Sequence, residues 1–192
     1  MRASWRKRHR VPMSAHMKYL RYVLVHKWFV LVAAVRLRKR GVTARGIWWR
    51  VLVHDLSKLL PSEWTPYVVY FNTDAKSNEY FDMCADYGLP EISPWGASVI
   101  DDFQVAWLHH QKRNRHHWQY WLLREDDHPK ALPIPMPWVY VVEMVADWMG
   151  AGRAITGEWD VESWYSANAH KIDICKRTRE RVESALVKEA TE

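Results

Sequence analysis

Glycine and proline are scarce in this chain, and their distribution limits the fold more than any other feature. The 192 residues include 7 Gly and 9 Pro, and most of the prolines fall in two windows. This pattern predicts long regular elements joined by a few irregular connections. The first long segment has apolar residues at helical spacing, namely Leu20, Val23, Leu24, Phe29, Leu31, Val32 and Val35. We therefore predict an all-α fold.

Five long helices and one long irregular loop are predicted along the chain. The predicted helices run from Ser14 to about Arg40, Thr43 to Leu60, Ser98 to about Leu123, Trp138 to about Ala154, and Val161 to Lys188. The loop near residues 72–97 contains two Gly and two Pro. We expect one helical bundle of about five to seven helices over residues 14–192, after a basic arm at residues 1–13.

Charge is distributed unevenly. Residues 1–58 contain 15 Lys and Arg against one acid, Asp55, while the remainder contains 13 Lys and Arg against 21 Asp and Glu. A basic region of this kind favours anionic partners, whether a phosphate-bearing small molecule, a nucleic acid or a membrane surface. Charge alone does not choose among them.

His54 and Asp55 are adjacent near the predicted end of the second helix, where two neighbouring side chains can converge on one ion. Imidazole nitrogen and carboxylate oxygen suit divalent transition metals such as Mn, Fe, Co, Ni or Zn. An isolated His-Asp pair is more often an exposed helix end than a metal site. Other residues along the chain make the pair a metal candidate. His26 lies in the first predicted helix, a histidine cluster lies in the third, and Asp147 lies in an otherwise apolar helix. A buried carboxylate there requires a cation, whereas an exposed one does not.

This ordered series resembles the HD superfamily of helical, metal-dependent phosphohydrolases. The family pattern is a His on one helix, an adjacent His-Asp on the next and a distant Asp on a late helix. The resemblance spans roughly residues 16–155 and rests on the segments HDLSK (54–58) and EMVADW (143–148). It implies metal ligation by His26, His54, Asp55 and Asp147, and contact of Lys58 with substrate phosphate. Together with HHQKRNRHHWQYW (109–121), these segments also resemble a small family of HD-like proteins from bacteria and phages.

The histidine-rich part of the third helix offers further site residues. Helical spacing puts His110, Asn114 and His117 on one face and His109, Arg113 and His116 on the adjoining face. We expect the first face to turn inward, with its two histidines as candidates for a second ion. Arg113, Asn114 and His116 are candidates for phosphate binding together with Lys58. The alternative for the whole cluster is a basic helix that contacts nucleic acid.

Glu143 lies one helical turn before Asp147 and shares its face. It could orient a ligand, act as a general base, or be a solvated acid. His109 is a further candidate for proton transfer. These residues complete the set expected around one or two divalent ions.

The resemblance to the HD superfamily implies hydrolysis of a phosphate ester or anhydride by a metal-activated water. A nucleotide is the expected substrate, because the segments typical of cyclic-dinucleotide and alarmone hydrolases are not found. Two alternatives stay open. An HD-type di-iron oxygenase would use the same fold, and a non-enzymatic protein would bind nucleic acid through the basic arm and residues 112–117.

The remaining expectations concern the environment of the protein. Two cysteines, Cys84 and Cys175, form no disulfide framework, and no apolar run approaches the roughly 20 residues of a bilayer span. We expect a cytoplasmic protein, in the host cytoplasm if a phage encodes it, with no membrane partner. Weak nucleic-acid binding by the arm and a homo-oligomer are left open.

Overall fold

A computed structural model of the chain describes residues 12–72 and 99–187. The predicted loop at residues 72–97 and the predicted basic arm at residues 1–13 lie almost wholly outside these ranges. Cys84 also lies outside them. The assignment of residues 14–192 to one domain remains a prediction.

The described residues are mostly helical, which confirms the all-α prediction. The α-helices are α1 (Met13–Lys39), α2 (Ile47–Val53), α3 (Pro61–Asn72), α4 (Val99–Arg113), α5 (Trp138–Thr156), α6 (Val161–Asn168) and α7 (Lys176–Val187). Short 3₁₀ helices cover Leu56–Leu59, Trp118–Trp121 and Ala169–Lys171. Two short antiparallel strands, β1 (Leu122–Leu123) and β2 (Leu132–Pro133), pair Leu122 with Pro133 and Leu123 with Leu132. No helix within the described ranges is both long and apolar enough to cross a membrane.

The chain divides into two compact units. The first unit contains residues 1–23 and 56–110, and the second contains residues 24–55 and 111–192. In the described part of the first unit, the start of α1 packs with α3 and α4 through an aromatic-rich core. This core consists of Ala15, Tyr19, Val23, Tyr67, Val68 and Ala106, with Trp64, Phe103 and Trp107 against it.

The second unit is built around α5, which is buried on all sides over its middle turns. Its residues 141–147 are all buried, as expected of a helix surrounded by other elements. The rest of α1, α2, α6 and α7 contribute further core residues, including Val30, Leu37, Val51, Tyr165 and Val182. α5 therefore carries any polar side chain on its buried faces into the interior.

Gly150 permits a close approach of α5 to α1. A Cβ atom built on Gly150 would lie 2.7 Å from the backbone nitrogen of Val30 and 2.8 Å from its Cγ2. No side chain larger than hydrogen fits without movement of a backbone. Val30 follows His26 by one helical turn and Gly150 follows Asp147 by nearly one turn, so this contact sets the distance between those two side chains.

Three predicted helices are shorter than expected, and the prediction was wrong in each case about where the helix ends. α2 ends at Val53 because Asp55 adopts a left-handed conformation with φ of 56°, which an α-helix does not accommodate. α4 ends at Arg113, where Asn114 begins a turn closed by a hydrogen bond from the backbone N–H of His117 to its carbonyl, 3.1 Å. The last segment is divided because Ile172 and Ile174 are both buried in an extended stretch, where alternate residues face one side.

Candidate metal centre

The turn after α2 presents His54 and Asp55 to the same region of the second unit. His54 has an extended backbone and Asp55 a left-handed one. Left-handed residues other than Gly are uncommon and concentrate at functional sites. The Nζ of Lys27 stabilises this turn by donating to the carbonyls of Leu52 at 2.6 Å and His54 at 3.0 Å. The two neighbouring side chains thereby converge, although they do not share a helix face.

Four ligand-type atoms from α1, the turn and α5 form a compact group. The Nε2 of His26 lies 3.4 Å from the Nε2 of His54, 3.6 Å from Asp55 Oδ2 and 3.1 Å from Asp147 Oδ1. The Nε2 of His54 lies 3.4 Å from Asp55 Oδ2 and 3.3 Å from Asp147 Oδ1. All four side chains are almost fully buried. We call this group the four-ligand cluster.

These separations match the ligand set of a divalent ion. Ligands about 2.1 Å from a metal at angles of about 90 to 109° are about 3.0 to 3.4 Å apart. The measured spacings of 3.1 to 3.6 Å lie close to this range. Two carboxylates and two imidazoles also match the charge of such an ion. The four-ligand cluster could therefore hold a metal.

Glu143 fixes the orientation of the His54 ring. Its Oε1 lies 3.3 Å from His54 Nδ1, and it receives hydrogen bonds from Arg50, 2.7 Å from Nε to Oε2 and 3.4 Å from Nη2 to Oε1. A carboxylate accepts, so Nδ1 of His54 carries the proton. Nε2 is then the nitrogen that presents a lone pair to an ion, an arrangement found beside many metal-bound histidines.

His116 faces the other oxygens of the two carboxylates. Its Nε2 lies 3.4 Å from Asp55 Oδ1 and 3.8 Å from Asp147 Oδ2, while its Nδ1 lies 3.4 Å from Glu143 Oε1. The ring is buried and its centroid lies 4.4 Å from that of His54. Asp55 and Asp147 thus direct one oxygen to the four-ligand cluster and the other towards His116.

Burial and charge perturb the titration of these groups strongly. Burial opposes protonation of His54, but the nearby Asp55, Asp147 and Glu143 outweigh it and raise its pKa to about 10. Burial would raise the pKa of Asp147, but hydrogen bonds from His26 and His54 hold it well below the ordinary value. Burial and the charge of His54 lower the pKa of His116. At neutral pH His54 is therefore protonated, and its positive charge offsets the nearby carboxylates as a bound cation would.

Comparison with known families places the chain. A model of DUF5662, described as a family of unknown function, matches residues 15–188. The chain belongs to the DUF5662 family. No curated protein and no solved structure gave a match to it. The matched range of this DUF5662 protein includes every member of the four-ligand cluster, together with Glu143 and His116.

The remaining predicted site residues of this DUF5662 protein lie outside the four-ligand cluster. The prediction that α4 carries two histidine faces was wrong, because residues 114–117 lie beyond its end. His116 is consequently buried beside the carboxylates, and its expected place on a phosphate-binding helix face is not found. His117 is half-buried with its ring centroid 4.2 Å from that of His116. Asn114 is buried and Arg113 exposed in the second unit.

Three predicted residues belong to the first unit. His109 is exposed on α4, and Lys58 is buried in the 3₁₀ helix Leu56–Leu59. His110 is fully buried, with Nδ1 2.9 Å from Glu63 Oε2 and 3.2 Å from Ser57 Oγ. Ser57 donates to the same Glu63 oxygen at 2.8 Å. Ser57, Glu63 and His110 thus form a hydrogen-bonded network that the sequence did not predict.

Sequence reasoning also missed Arg50 and Lys27 in the second unit. Arg50 precedes His54 by four residues, as Glu143 precedes Asp147 by four. Opposite charges one turn before each of two candidate ligands were a usable signal for the ion pair that supports the site. Lys27 follows His26 directly, and its contacts depend on the turn at residues 54–55, which the helix prediction had excluded.

Proposed function

We propose that the protein is a metal-dependent phosphohydrolase of the HD type that acts on a phosphate ester such as a nucleotide. The observation that carries this proposal is the four-ligand cluster, with atoms spaced as around one divalent ion. The order His26, His54-Asp55, Asp147 along the chain resembles the HD pattern. A DUF5662 member with this cluster would hold the ion through α1, the turn after α2, and α5.

A divalent ion, when bound, would lower the pKa of a coordinated water and polarise a phosphoryl oxygen. The chain's own residues supply orientation and proton placement. Arg50 holds Glu143 as a carboxylate, and Glu143 holds the proton on Nδ1 of His54. The Nε2 atoms of His54 and His116 both face the aspartates. Glu143 has no exposed surface, which supports a positioning role over contact with substrate.

His116 is the residue we assign to proton transfer or to a second ion. Its Nε2 lies beside the outer oxygens of Asp55 and Asp147, and its ring is neutral when its pKa is lowered. A neutral imidazole can accept a proton from an attacking water. Arg113, three residues earlier and exposed, supplies positive charge for a phosphate in this unit. The phosphate-binding role of Lys58 stays a prediction from the resemblance.

The test combines elemental analysis with a nucleotide panel. Purified protein supplemented with Mn, Fe, Co, Ni or Zn should retain about one or two ions per chain, and hydrolysis of at least one phosphate ester should depend on them. The His54→Ala/Asp55→Ala variant should lose both properties. The matched control is His170→Ala/Asp173→Ala, because both residues are exposed in the same unit.

Two results would contradict the proposal. Wild-type protein that retains none of these metals would remove the metal centre itself. Metal retention without hydrolysis of any phosphate ester in the panel would leave the centre but remove the activity.

A second candidate function is a dinuclear HD-type oxygenase. It is favoured by one observation, the placement of His116 opposite the outer oxygens of Asp55 and Asp147, which together could hold a second ion. Iron content near two ions per chain together with oxygen consumption on a small organic substrate would support it. Oxygen-independent phosphate release with a redox-inert ion such as Zn would favour the hydrolase.

A further inference from the structure

The second unit exposes many large apolar side chains on α1 and α2. On α1, Leu24, Trp28, Leu31 and Val35 recur at intervals of four, three and four residues, which places them on one helix face. On α2, Trp48, Trp49 and Leu52 are exposed. Trp28, Trp49 and Leu52 have 60%, 65% and 62% of their surface exposed. We call these seven residues the tryptophan surface.

Two contacts place the exposed parts of α1 and α2 beside each other. The guanidinium of Arg38 lies 5.6 Å from the ring centroid of Trp48, and Nζ of Lys27 donates to the carbonyl of Leu52. The end of α1 thus meets the start of α2 and the middle of α1 meets the end of α2, so the helices run antiparallel. The tryptophan surface is therefore one patch formed by two neighbouring helices, and apolar patches of this kind mark interaction sites.

The same segment carries only positive charge. Residues 24–54 contain seven Lys and Arg and no Asp or Glu. Arg38, Lys39 and Arg45 are exposed within it. A partner for this surface must accept tryptophan and leucine side chains and must also be anionic.

We propose that the tryptophan surface docks on an anionic lipid membrane as a peripheral contact. The headgroup region of a bilayer accepts tryptophan, the acyl boundary accepts leucine and valine, and anionic lipids attract the surrounding cations. A second copy of this chain would bring positive charge against positive charge. A nucleic acid would pair with the cations but would give Leu24, Leu31, Val35 and Leu52 nothing apolar to bury against.

This proposal is independent of the proposed catalysis, because none of the seven residues belongs to the four-ligand cluster. It departs from the expectation of no membrane partner, which rested on the lack of an apolar run long enough to span a bilayer. A peripheral contact needs no spanning helix. Trp49 and Trp28 are the anchors, since they combine large apolar area with high exposure.

The test is flotation of the full chain with lipid vesicles. Wild-type protein should float with vesicles of phosphatidylcholine mixed with phosphatidylglycerol, and much less with phosphatidylcholine alone. Trp28→Ala/Trp49→Ala should weaken binding about tenfold or more. Lys39→Gln/Arg45→Gln should weaken binding to the anionic vesicles but leave the weak binding to phosphatidylcholine vesicles unchanged. The control Ile155→Ala removes an exposed apolar side chain on α5 and should bind as wild type.

Each other outcome overturns the proposal. Failure of the wild type to bind anionic vesicles, or equal binding by the double tryptophan variant, excludes this surface as a membrane contact. Self-association that the double tryptophan variant abolishes, without vesicle binding, would assign the surface to a second copy. Retention on single-stranded DNA that depends on both tryptophans, without vesicle binding, would assign it to nucleic acid. Circular dichroism of each variant establishes that it is folded.

Discussion

Replacement of Gly150 by Ala is expected to weaken metal binding at the four-ligand cluster, although Gly150 is not part of that cluster. The new Cβ would lie 2.7 Å from the backbone nitrogen of Val30 and 3.0 Å from the backbone carbon of Phe29. These are backbone atoms, so relief requires α1 and α5 to separate by several tenths of an ångström. His26 moves with α1 and Asp147 with α5, and the 3.1 Å between His26 Nε2 and Asp147 Oδ1 must widen.

The expected magnitudes follow from two opposing effects. Alanine favours a helix over glycine by about 1 kcal/mol, whereas overpacking a core contact costs about 1 to 3 kcal/mol. The free energy of unfolding should therefore change little or fall by up to about 2 kcal/mol. Metal affinity should fall further, by about 10- to 100-fold, a loss comparable to removal of an outer-shell partner. The signature is a binding defect larger than the stability defect.

Gly152→Ala is the matched control. It lies two residues along the same helix, and a Cβ there would meet only the carbonyl of Glu158 at 3.9 Å. This variant should gain up to about 1 kcal/mol in stability and bind metal normally. The assays are urea unfolding of the metal-free protein and calorimetric titration with Zn or Mn. If Gly150→Ala matched Gly152→Ala in both assays, the proposed link between helix spacing and metal binding would be refuted.

Three further predictions concern the same centre. Glu143→Gln should weaken metal binding about 10- to 100-fold, measured by competition with a chelating dye, while Glu158→Gln on the same unit should not. In the metal-free protein the neighbouring carboxylates raise the pKa of His54 to about 10. The stability that protonated His54 contributes is therefore fully present below its ordinary pKa of 6.5 and is lost as pH rises towards 10. Metal affinity should rise over the same range, because the ion displaces that proton. In a solution whose free metal concentration is about 100 times the Kd, addition of a chelator should lower the free energy of unfolding by about 2.7 kcal/mol, or Tm by about 5 to 10 °C. The His54→Ala/Asp55→Ala variant should show no such shift.

Local pattern was sufficient for the two helices that carry the first and last candidate ligands along the chain, His26 and Asp147. The apolar spacing in residues 14–40 predicted α1 to within one residue at each end, and the Trp138 start of α5 was found from the proline-rich segment before it. His26 and Asp147 are central in these helices, so small boundary errors do not move them. Their pairing with His54 and Asp55 came from the resemblance, because periodicity does not indicate which helices are neighbours.

Local pattern failed where tertiary contacts decide the backbone. The sequence through residues 43–60 allows a continuous helix, whereas long-range bonds from Lys27 and the left-handed Asp55 stabilise a turn there. The same applies after Arg113. A helix continued to Leu123 would place His116 one face away from His110, whereas the observed turn buries it beside Asp55. A helical wheel cannot represent that placement.

The supporting ion pair was nevertheless within reach of sequence reasoning. A ligand carboxylate or imidazole in a buried site needs partners for its remaining atoms, since each unsatisfied polar group there costs about 1 to 3 kcal/mol. The positions four residues before His54 and Asp147 are Arg50, in the last turn of α2, and Glu143, on the same face of α5 as Asp147. Their opposite charges allow a direct bond once α2 and α5 are adjacent, and the 2.7 Å contact realises it. The position one turn before each proposed ligand therefore carries information about the second coordination sphere that a ligand motif alone omits.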